Sequence, residues 1–255
     1  MYRHIFDSHA HYNGRDFEDR DELIPHLFAN GVCGVMDVAS SMRSTRRTVE
    51  LTARYDGMYS AIGVHPCEVG EMSEADYELL RELSHLPKVK AIGEIGLDYH
   101  WDDVAPEVQK LHFERQLQLA KELDLPVIIH SREAAQDTFD LLKKYRPRGV
   151  VHCYSGSAAM AEELLRLGLY IGFTGVITFK NARRAVESAQ VVPLDRLLIE
   201  TDCPYMAPEP HRGKRCDSSM LEFTGTRLAQ IKEISPQELF DRTAENARAL
   251  FEIDG

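Results

Sequence analysis

Near the start of this chain Asp7-Ser8-His9-Ala10-His11 follows the short apolar run Ile5-Phe6. Side chains two apart on a strand share a face, so His9 and His11 reach one point from the end of a single strand. Imidazole is the commonest metal-ligating side chain near neutral pH. Glu94, His130, His152 and Asp202 each follow an apolar run in the same way. These six residues are the metal-ligand candidates. Four imidazoles and two carboxylates exceed the three or four protein ligands of one open catalytic site, so two divalent ions are expected. A natural division puts His9, His11 and Asp202 on one ion and His130 and His152 on the other. Glu94 bridges them, one oxygen to each. Ions about 3.5–4 Å apart suit in-line displacement at phosphorus, stabilising both the attacking and the leaving oxygen. Asp202 and Glu94 are the catalytic candidates: Asp202 to take or steer the proton of the attacking water, Glu94 as the bridge.

Those ligands need elements that aim them at one place. Short apolar runs alternate with amphipathic stretches along the chain. Ile5-Phe6 and the stretches 32–38, 60–64, 89–95, 127–130, 149–152, 169–173 and 196–200 read as strands. Several are nearly continuous in Val, Ile and Leu, as in parallel sheets covered on both faces. Phe113, Leu117 and Ala120 fall on one helical stripe. So do Ala161, Leu164 and Leu165, with Gly168 placed to end that helix. Ser235-Pro236-Gln237-Glu238 is a capping-box pattern that opens a closing helix. Eight alternations predict a (β/α)8 TIM barrel, with an open doubly wound sheet as the alternative. The barrel is preferred because all its strand C-termini surround one mouth, where ligands from several strands can meet. No linker, repeat or low-complexity tract divides the chain, so residues 1–255 are read as a single domain.

Composition narrows the partners. Lys and Arg number 30 and Asp and Glu 41, a net charge of −11, which argues against a protein that coats nucleic acid through a broad basic surface. A local basic strip remains compatible with that balance. His211, Arg212, Lys214 and Arg215 form the one dense basic cluster, in the loop after the last strand; its bland reading is a solvated loop. Five scattered cysteines with no C-x-x-C point to a reducing, cytoplasmic setting and to structural thiols. Cys153 and Cys203 follow His152 and Asp202 directly, and strand alternation would turn them to the opposite face. The polar N-terminus argues against a signal peptide, and no apolar stretch approaches the ~20 residues that span a bilayer. Without a long exposed apolar stripe, a monomer with no obligate protein partner is expected.

Around the ligands lie candidates for substrate contact. His65, in Gly63-Val64-His65-Pro66, either touches substrate or supports a ligand. Arg132, two residues past His130, either holds a phosphate or pairs with Glu133 or Glu162. His211, Arg212 and Lys214 would guide a nucleic-acid end. Tyr99, Trp101, Tyr154 and Tyr205 either stack on bases or pack. Asp98, four residues after Glu94, is placed to orient a ligand or a basic residue.

Together, Ser8-His9-Ala10-His11, Gly93-Glu94-Ile95-Gly96-Leu97-Asp98-Tyr99, Ile128-Ile129-His130-Ser131-Arg132, His152-Cys153-Tyr154-Ser155-Gly156 and Glu200-Thr201-Asp202-Cys203-Pro204-Tyr205 resemble the TatD family of metal-dependent hydrolases. Pro210-His211-Arg212-Gly213-Lys214-Arg215 and Asn246-Ala247-Arg248 match as well, and the motifs run in order over residues 5–251. The resemblance implies a TIM barrel of the amidohydrolase-like superfamily, a two-metal site on the residues above and deoxyribonuclease activity. It further implies dependence on Mg2+ and action on DNA ends or short oligonucleotides, 3′→5′ in some members. Some relatives are credited with removing D-amino acids from tRNA. The chain departs from the pattern after Arg215, where Cys216-Asp217 stands in place of Asn-Glu-Pro, in a loop expected to shape the substrate entrance. The donor set itself suits Zn2+, Mn2+, Fe2+ or Co2+ better than Mg2+, which prefers oxygen ligands.

Two rival readings keep the same dinuclear site: a D-aminoacyl-tRNA deacylase, and a hydrolase of small esters, lactones or amides that would not need the basic cluster. A scaffold that has lost catalysis would be expected to lack a ligand, and all six are present. No phosphate-binding Gly-rich loop, dinucleotide fingerprint or G-x-S-x-G elbow occurs.

Overall fold

The structure, a computed structural model, describes residues 2–254. Eight strands, β1 (Ile5–Ala10), β2 (Val32–Val38), β3 (Met58–Ile62), β4 (Val89–Asp98), β5 (Val127–Arg132), β6 (Gly149–Val151), β7 (Tyr170–Phe173) and β8 (Leu197–Ile199), are all parallel and hydrogen-bond in sequence order. Helices α1 (Arg20–Ala29), α2 (Met42–Thr52), α3 (Glu74–Leu83), α4 (Pro106–Glu122), α5 (Ala135–Tyr145), α6 (Ala158–Arg166), α7 (Arg183–Val191), α8 (Leu221–Lys232) and α9 (Pro236–Phe251) fill the crossovers and the C-terminal end.

The first and last strands close the sheet through backbone just beyond β8. Ala10 bridges Cys203 in parallel, His11 N–H donates to the Cys203 carbonyl (3.0 Å), and Asp202 N–H donates to the His9 carbonyl (2.9 Å). An open sheet would leave β1 and β8 at opposite edges, so this seam excludes it. The architecture is the expected (β/α)8 barrel.

Side chains reinforce the seam. Fully buried Asp7 accepts from Thr201 N–H (3.0 Å), Thr201 Oγ1 (2.7 Å) and Ser218 Oγ (2.7 Å), while Ser8 Oγ donates to the Ile199 carbonyl (3.0 Å). Burial pushes the Asp7 carboxyl up to about 6 against the pull of these donors.

Apolar side chains form the floor beneath the mouth. Phe6, Ala61, Ala91, Ile128, Val150 and Leu198 pack in one cluster with the end of α9. His130 and His152 lie two residues beyond Ile128 and Val150, so the chain column that packs the floor carries ligands at its top.

Boundaries differ from expectation where chemistry sits. β1 runs on to Ala10, so His9 lies within the strand; β4 runs on to Asp98. β3 stops at Ile62, which leaves His65 in the following turn rather than at the strand end. There its Nδ1 accepts from Cys67 N–H (3.2 Å) and caps a short 3-10 helix, Pro66–Glu71. β6 and β8 end before His152 and Asp202, so alternation does not decide the orientation of Cys153 and Cys203. Instead the backbone turns through positive φ at Cys153 (47°) and Asp202 (57°). At α9, Ser235 Oγ accepts from Glu238 N–H (3.2 Å), the N-cap half of the expected pair. Gly168 follows α6 with φ +88°, as a helix-ending glycine should.

Candidate metal centre

Glu94 stands at the middle of the mouth, 4% exposed, and its two oxygens face different partners. Oε2 lies 3.6 Å from His9 Nε2 and 3.7 Å from His11 Nε2. Oε1 lies 2.9 Å from His130 Nδ1 and 2.8 Å from His152 Nε2. Within the first group the two imidazole nitrogens are 3.1 Å apart; within the second, 3.3 Å. Asp202 Oδ1 joins the first group, 3.3 Å from His11 Nε2 and 3.7 Å from His9 Nε2. Bonds of about 2.0–2.1 Å to a tetrahedral ion put its ligand atoms roughly 3.3 Å from one another, and these separations bracket that value. The donor set therefore fits a pair of divalent ions sharing Glu94, with no protein atom needing to move far. All six residues singled out as ligands from the sequence are brought together here, in candidate metal-binding groups that overlap: His9 and His11 with Glu94, Glu94 with His130 and His152, and His9 with His152 and Asp202.

Backbone close approach makes this convergence feasible. Gly96, at φ +149°, pairs with His130, and a Cβ there would lie 1.9 Å from the His130 carbonyl oxygen. A side chain at that position would separate β4 from β5 and Glu94 from His130. Gly172 does the same one layer out: a Cβ would meet the Glu200 carboxylate at 2.5 Å.

Three of the four imidazole ligands meet a partner from behind, whereas the buried Nδ1 of His9 has none among the described residues. His11 Nδ1–H donates to the Val38 carbonyl (2.8 Å), which leaves Nε2 to face the centre. His130 turns Nε2 onto Asp98 Oδ2 (3.0 Å) and presents Nδ1 inward. Asp98 is thus the orienting carboxylate that its spacing from Glu94 suggested. Asp98 in turn accepts from His100 N–H (2.9 Å). His152 Nδ1 faces Glu200 Oε1 at 3.6 Å, and Glu200 also receives the Cys153 N–H and Ser8 Oγ. Carboxylate or carbonyl partners of this kind fix the ring and raise its basicity as a ligand. Glu200 was not singled out from the sequence. The signal for it is weak, a glutamate closing the last apolar run and a glycine on the neighbouring strand.

Packing so many ionisable groups together shifts them in pairs. Burial alone would raise Glu94, but the charges of His152 and His65 and the hydrogen bonds from His130 and His152 hold it well below the usual carboxylate range. His11 rises to about 9: burial opposes this, and the Asp202 hydrogen bond and the Glu94 charge outweigh it. Asp202 is held low against burial by the His11 hydrogen bond and the His9 charge. His9 falls, because it is fully buried and faces His152. The cluster keeps its carboxylates ionised, as cation ligands must be.

The remaining candidates scatter around this centre. His65 Nε2 lies 3.7 Å from Glu94 Oε1, and burial first of all lowers its pKa to about 4. Arg132 is exposed and lies over the Trp101 ring (5.7 Å). Its two rival partners are engaged elsewhere, Glu133 with His100 (2.7 Å) and Glu162 with Arg166 (3.7 Å). Trp101 and Tyr205 are 53% and 61% exposed, whereas Tyr154 is buried with its OH on the Ser157 carbonyl and Tyr99 donates to Asp137. Of the four aromatics, Trp101 and Tyr205 are the exposed ones. His211 packs edge-on to Phe223 (4.9 Å) and Arg212 covers Phe179 (4.4 Å), while Lys214 is exposed. Arg215 is drawn out of the basic group by a two-pronged pair with Asp19 (2.7 Å each). Cys216 is buried, and Asp217 accepts from Ser219 N–H (2.9 Å) to start a short helical turn. Cys153 and Cys203 contribute to none of the candidate ligand groups; burial pushes the Cys153 thiol up to about 12. No helix among the described residues is long and apolar enough to cross a membrane.

Comparison with known proteins gives one answer over the whole length. The family model for TatD-related DNases matches residues 6–252. A Bacillus subtilis protein named as an uncharacterized metal-dependent hydrolase, YabD, is 41% identical over 254 residues, covering 98% of this chain and 100% of the relative. The Salmonella typhimurium 3′-5′ ssDNA/RNA exonuclease TatD is 33% identical over 260 residues, covering 98% and 99%. The crystal structure of YjjV, a TatD homolog from Escherichia coli, superposes with a TM-score of 0.93 at 31% identity over the full length of both chains. The chain belongs to the TatD family of metal-dependent hydrolases.

Proposed function

We propose that this hydrolase is a single-domain, two-metal phosphodiesterase that removes nucleotides from the ends of single-stranded DNA, in the 3′→5′ direction. The observation that carries the reading is Glu94, whose two oxygens each face a separate pair of imidazole nitrogens. The relatives named as 3′-5′ ssDNA/RNA exonucleases support the choice of substrate. His9, His11 and Asp202 would hold one ion and His130 and His152 the other, with Glu94 contributing to both. When bound, such a pair supplies an acidified water and neutralises charge on the phosphate.

The chain's own residues do the rest. Asp202, kept ionised by His11 and His9, takes the proton of the attacking water. Arg132 has no ion pair among the described residues and holds a non-bridging phosphate oxygen. His65 contacts the phosphate from the side of His130, whose ring is 4.4 Å away. His211, Arg212 and Lys214 guide the strand end, and Trp101 and Tyr205 stack on its bases. The imidazole-rich donor set suits Mn2+, Co2+ or Zn2+ at least as well as Mg2+, so Mn2+ or Co2+ should support no less activity than Mg2+. A cytoplasmic monomer completes the reading.

The test is hydrolysis of 3′-labelled and 5′-labelled single-stranded oligonucleotides by chelator-stripped protein, with Mg2+, Mn2+, Co2+ or Zn2+ added back. Metal-dependent laddering from the 3′ end supports the reading. Absence of cleavage with every metal, alongside turnover of a D-aminoacyl-tRNA or a small ester, would move the protein to one of the rival hydrolases.

A further inference from the structure

Outside the convergent cluster, a cleft of about 500 Å3 opens between the loop after β1 and helix α2. Four arginines line it, Arg15, Arg20, Arg47 and Arg54, against two glutamates, Glu18 and Glu50. In a chain of net charge −11 that is a local reversal of sign. Helical periodicity builds one wall. Arg47, Glu50 and Leu51 recur at i, i+3 and i+4 of α2 and share a face, and Arg54 lies in the turn two residues past its end.

Two of the arginines have work within the fold. Arg20 donates Nε to the Phe17 carbonyl (2.6 Å) and Nη2 to the Gly14 carbonyl, which shapes the loop; Arg54 pairs with Asp21 (2.8 Å). Arg15 and Arg47 have no ion pair or hydrogen-bond partner among the described residues, although Arg47 is half-buried. Their guanidinium donors are therefore free to take an anion in the cleft.

The cleft is joined to the metal centre at its floor. Asn13 lines it and is buried, 4% exposed. Its Nδ2 donates to Asp37 Oδ2 (3.0 Å) and to the Val38 carbonyl (2.9 Å). That carbonyl also accepts from His11 Nδ1. Asn13 follows His11 by two residues, so their Cα atoms are within about 7 Å.

We infer that this cleft is a phosphate track for the nucleic-acid strand whose end lies at the metal centre, contacting linkages beyond the scissile one through Arg15 and Arg47. The inference rests on the nuclease reading for its ligand. A free phosphate or a mononucleotide offers the same chemistry at one point only, whereas Arg15 on the loop and Arg47 on α2 offer two. A concave cleft that begins beside the mouth also favours a strand over a flat anionic membrane.

The test compares the metal-loaded wild type with Arg15→Ala/Arg47→Ala and Arg15→Lys/Arg47→Lys. Fluorescence anisotropy follows a labelled 12-nucleotide single-stranded phosphorothioate DNA and a labelled dinucleotide across 50–200 mM salt. Inorganic phosphate and phosphatidylserine vesicles serve as separate arms, and the thermal midpoint checks folding. In single strands each phosphate contact contributes about 0.7 to the slope of log K against log salt, so the Ala pair should lower that slope by about 1.4. The 12-mer should bind severalfold more weakly, the dinucleotide should change less than twofold, and the Lys pair should recover most of the slope. A 12-mer affinity and slope unchanged in the Ala pair would overturn the inference. So would equal weakening of both lengths, phosphate competing as well as the 12-mer, or vesicle binding without 12-mer binding. Failure of the nuclease reading shows separately, as absence of hydrolysis with every metal, and leaves the binding comparison decisive for the cleft.

Discussion

The mouth and the basic loop after β8 both gather polar side chains, yet they hold them in opposite ways. At the mouth the ligands project from β1, β4 and β5 or from the backbone that follows β1, β6 and β8, and His11, His130 and His152 are backed by Val38, Asp98 and Glu200. In the loop, Arg212 covers Phe179, Arg215 is captured by Asp19, and Lys214 is exposed. The first arrangement preorganises its ligand atoms through partners behind them. The second offers charge with little position. Chemistry that depends on distance belongs to the mouth, and attraction that depends only on sign belongs to the loop.

The largest test of this contrast is removal of mouth carboxylates. Asp202→Asn and Glu94→Gln should each lower kcat on an oligonucleotide by a factor on the order of a thousand or more, comparable to loss of a main electrostatic stabiliser. Steady-state hydrolysis checks this, and a loss below tenfold would show that the mouth is less exacting than its geometry. Next in size is the support behind the ligands. Asp98→Asn and Glu200→Gln should weaken metal affinity by roughly 10–100-fold while KM for substrate in saturating metal changes little, as metal-buffered titration would show.

The loop should respond more gently. Arg212→Ala/Lys214→Ala should raise KM for an oligonucleotide severalfold, leave kcat within about twofold, and reduce the salt slope by about 1.4. A collapse of kcat in this variant would place the loop inside the chemistry and erase the contrast.

Smallest is the proton dependence of metal binding. The pKa of His11 is raised to about 9, so below that pH a cation must displace a proton from it. Apparent metal affinity should therefore climb about tenfold per pH unit for each proton released, with His130 and His152, which are also raised, adding to His11. Calorimetry in buffers of different ionisation enthalpy counts those protons, and His11→Asn should remove one.

The same contrast explains what could be read from the sequence. Strands show as apolar runs, and ligands show because a barrel puts the end of each run at one mouth. The six ligands were legible for that reason. Residues behind them were less so. Glu200 resembles any glutamate until Gly172, 28 positions earlier, is seen to make room for it. Asp7 and Ser218 meet across 211 positions, and Arg215 and Asp19 across 196, separations that carry no local pattern. His65 was read as closing a strand, but β3 ends at Ile62 and His65 caps the next turn. The arginine cleft combines a helical stripe on α2, visible in sequence, with Arg15 on a loop whose approach to that stripe is not.

The most direct test of the account is the metal stoichiometry of the working enzyme. Chelator-stripped protein would be titrated with Mn2+ while bound metal and oligonucleotide hydrolysis are followed together, in wild type and in Glu94→Gln. The account expects two ions per wild-type chain, with activity rising mainly as the second site fills, and loss of paired binding in the variant. Full activity at one ion per chain, or two-ion binding unaffected by loss of the Glu94 carboxylate, would contradict it.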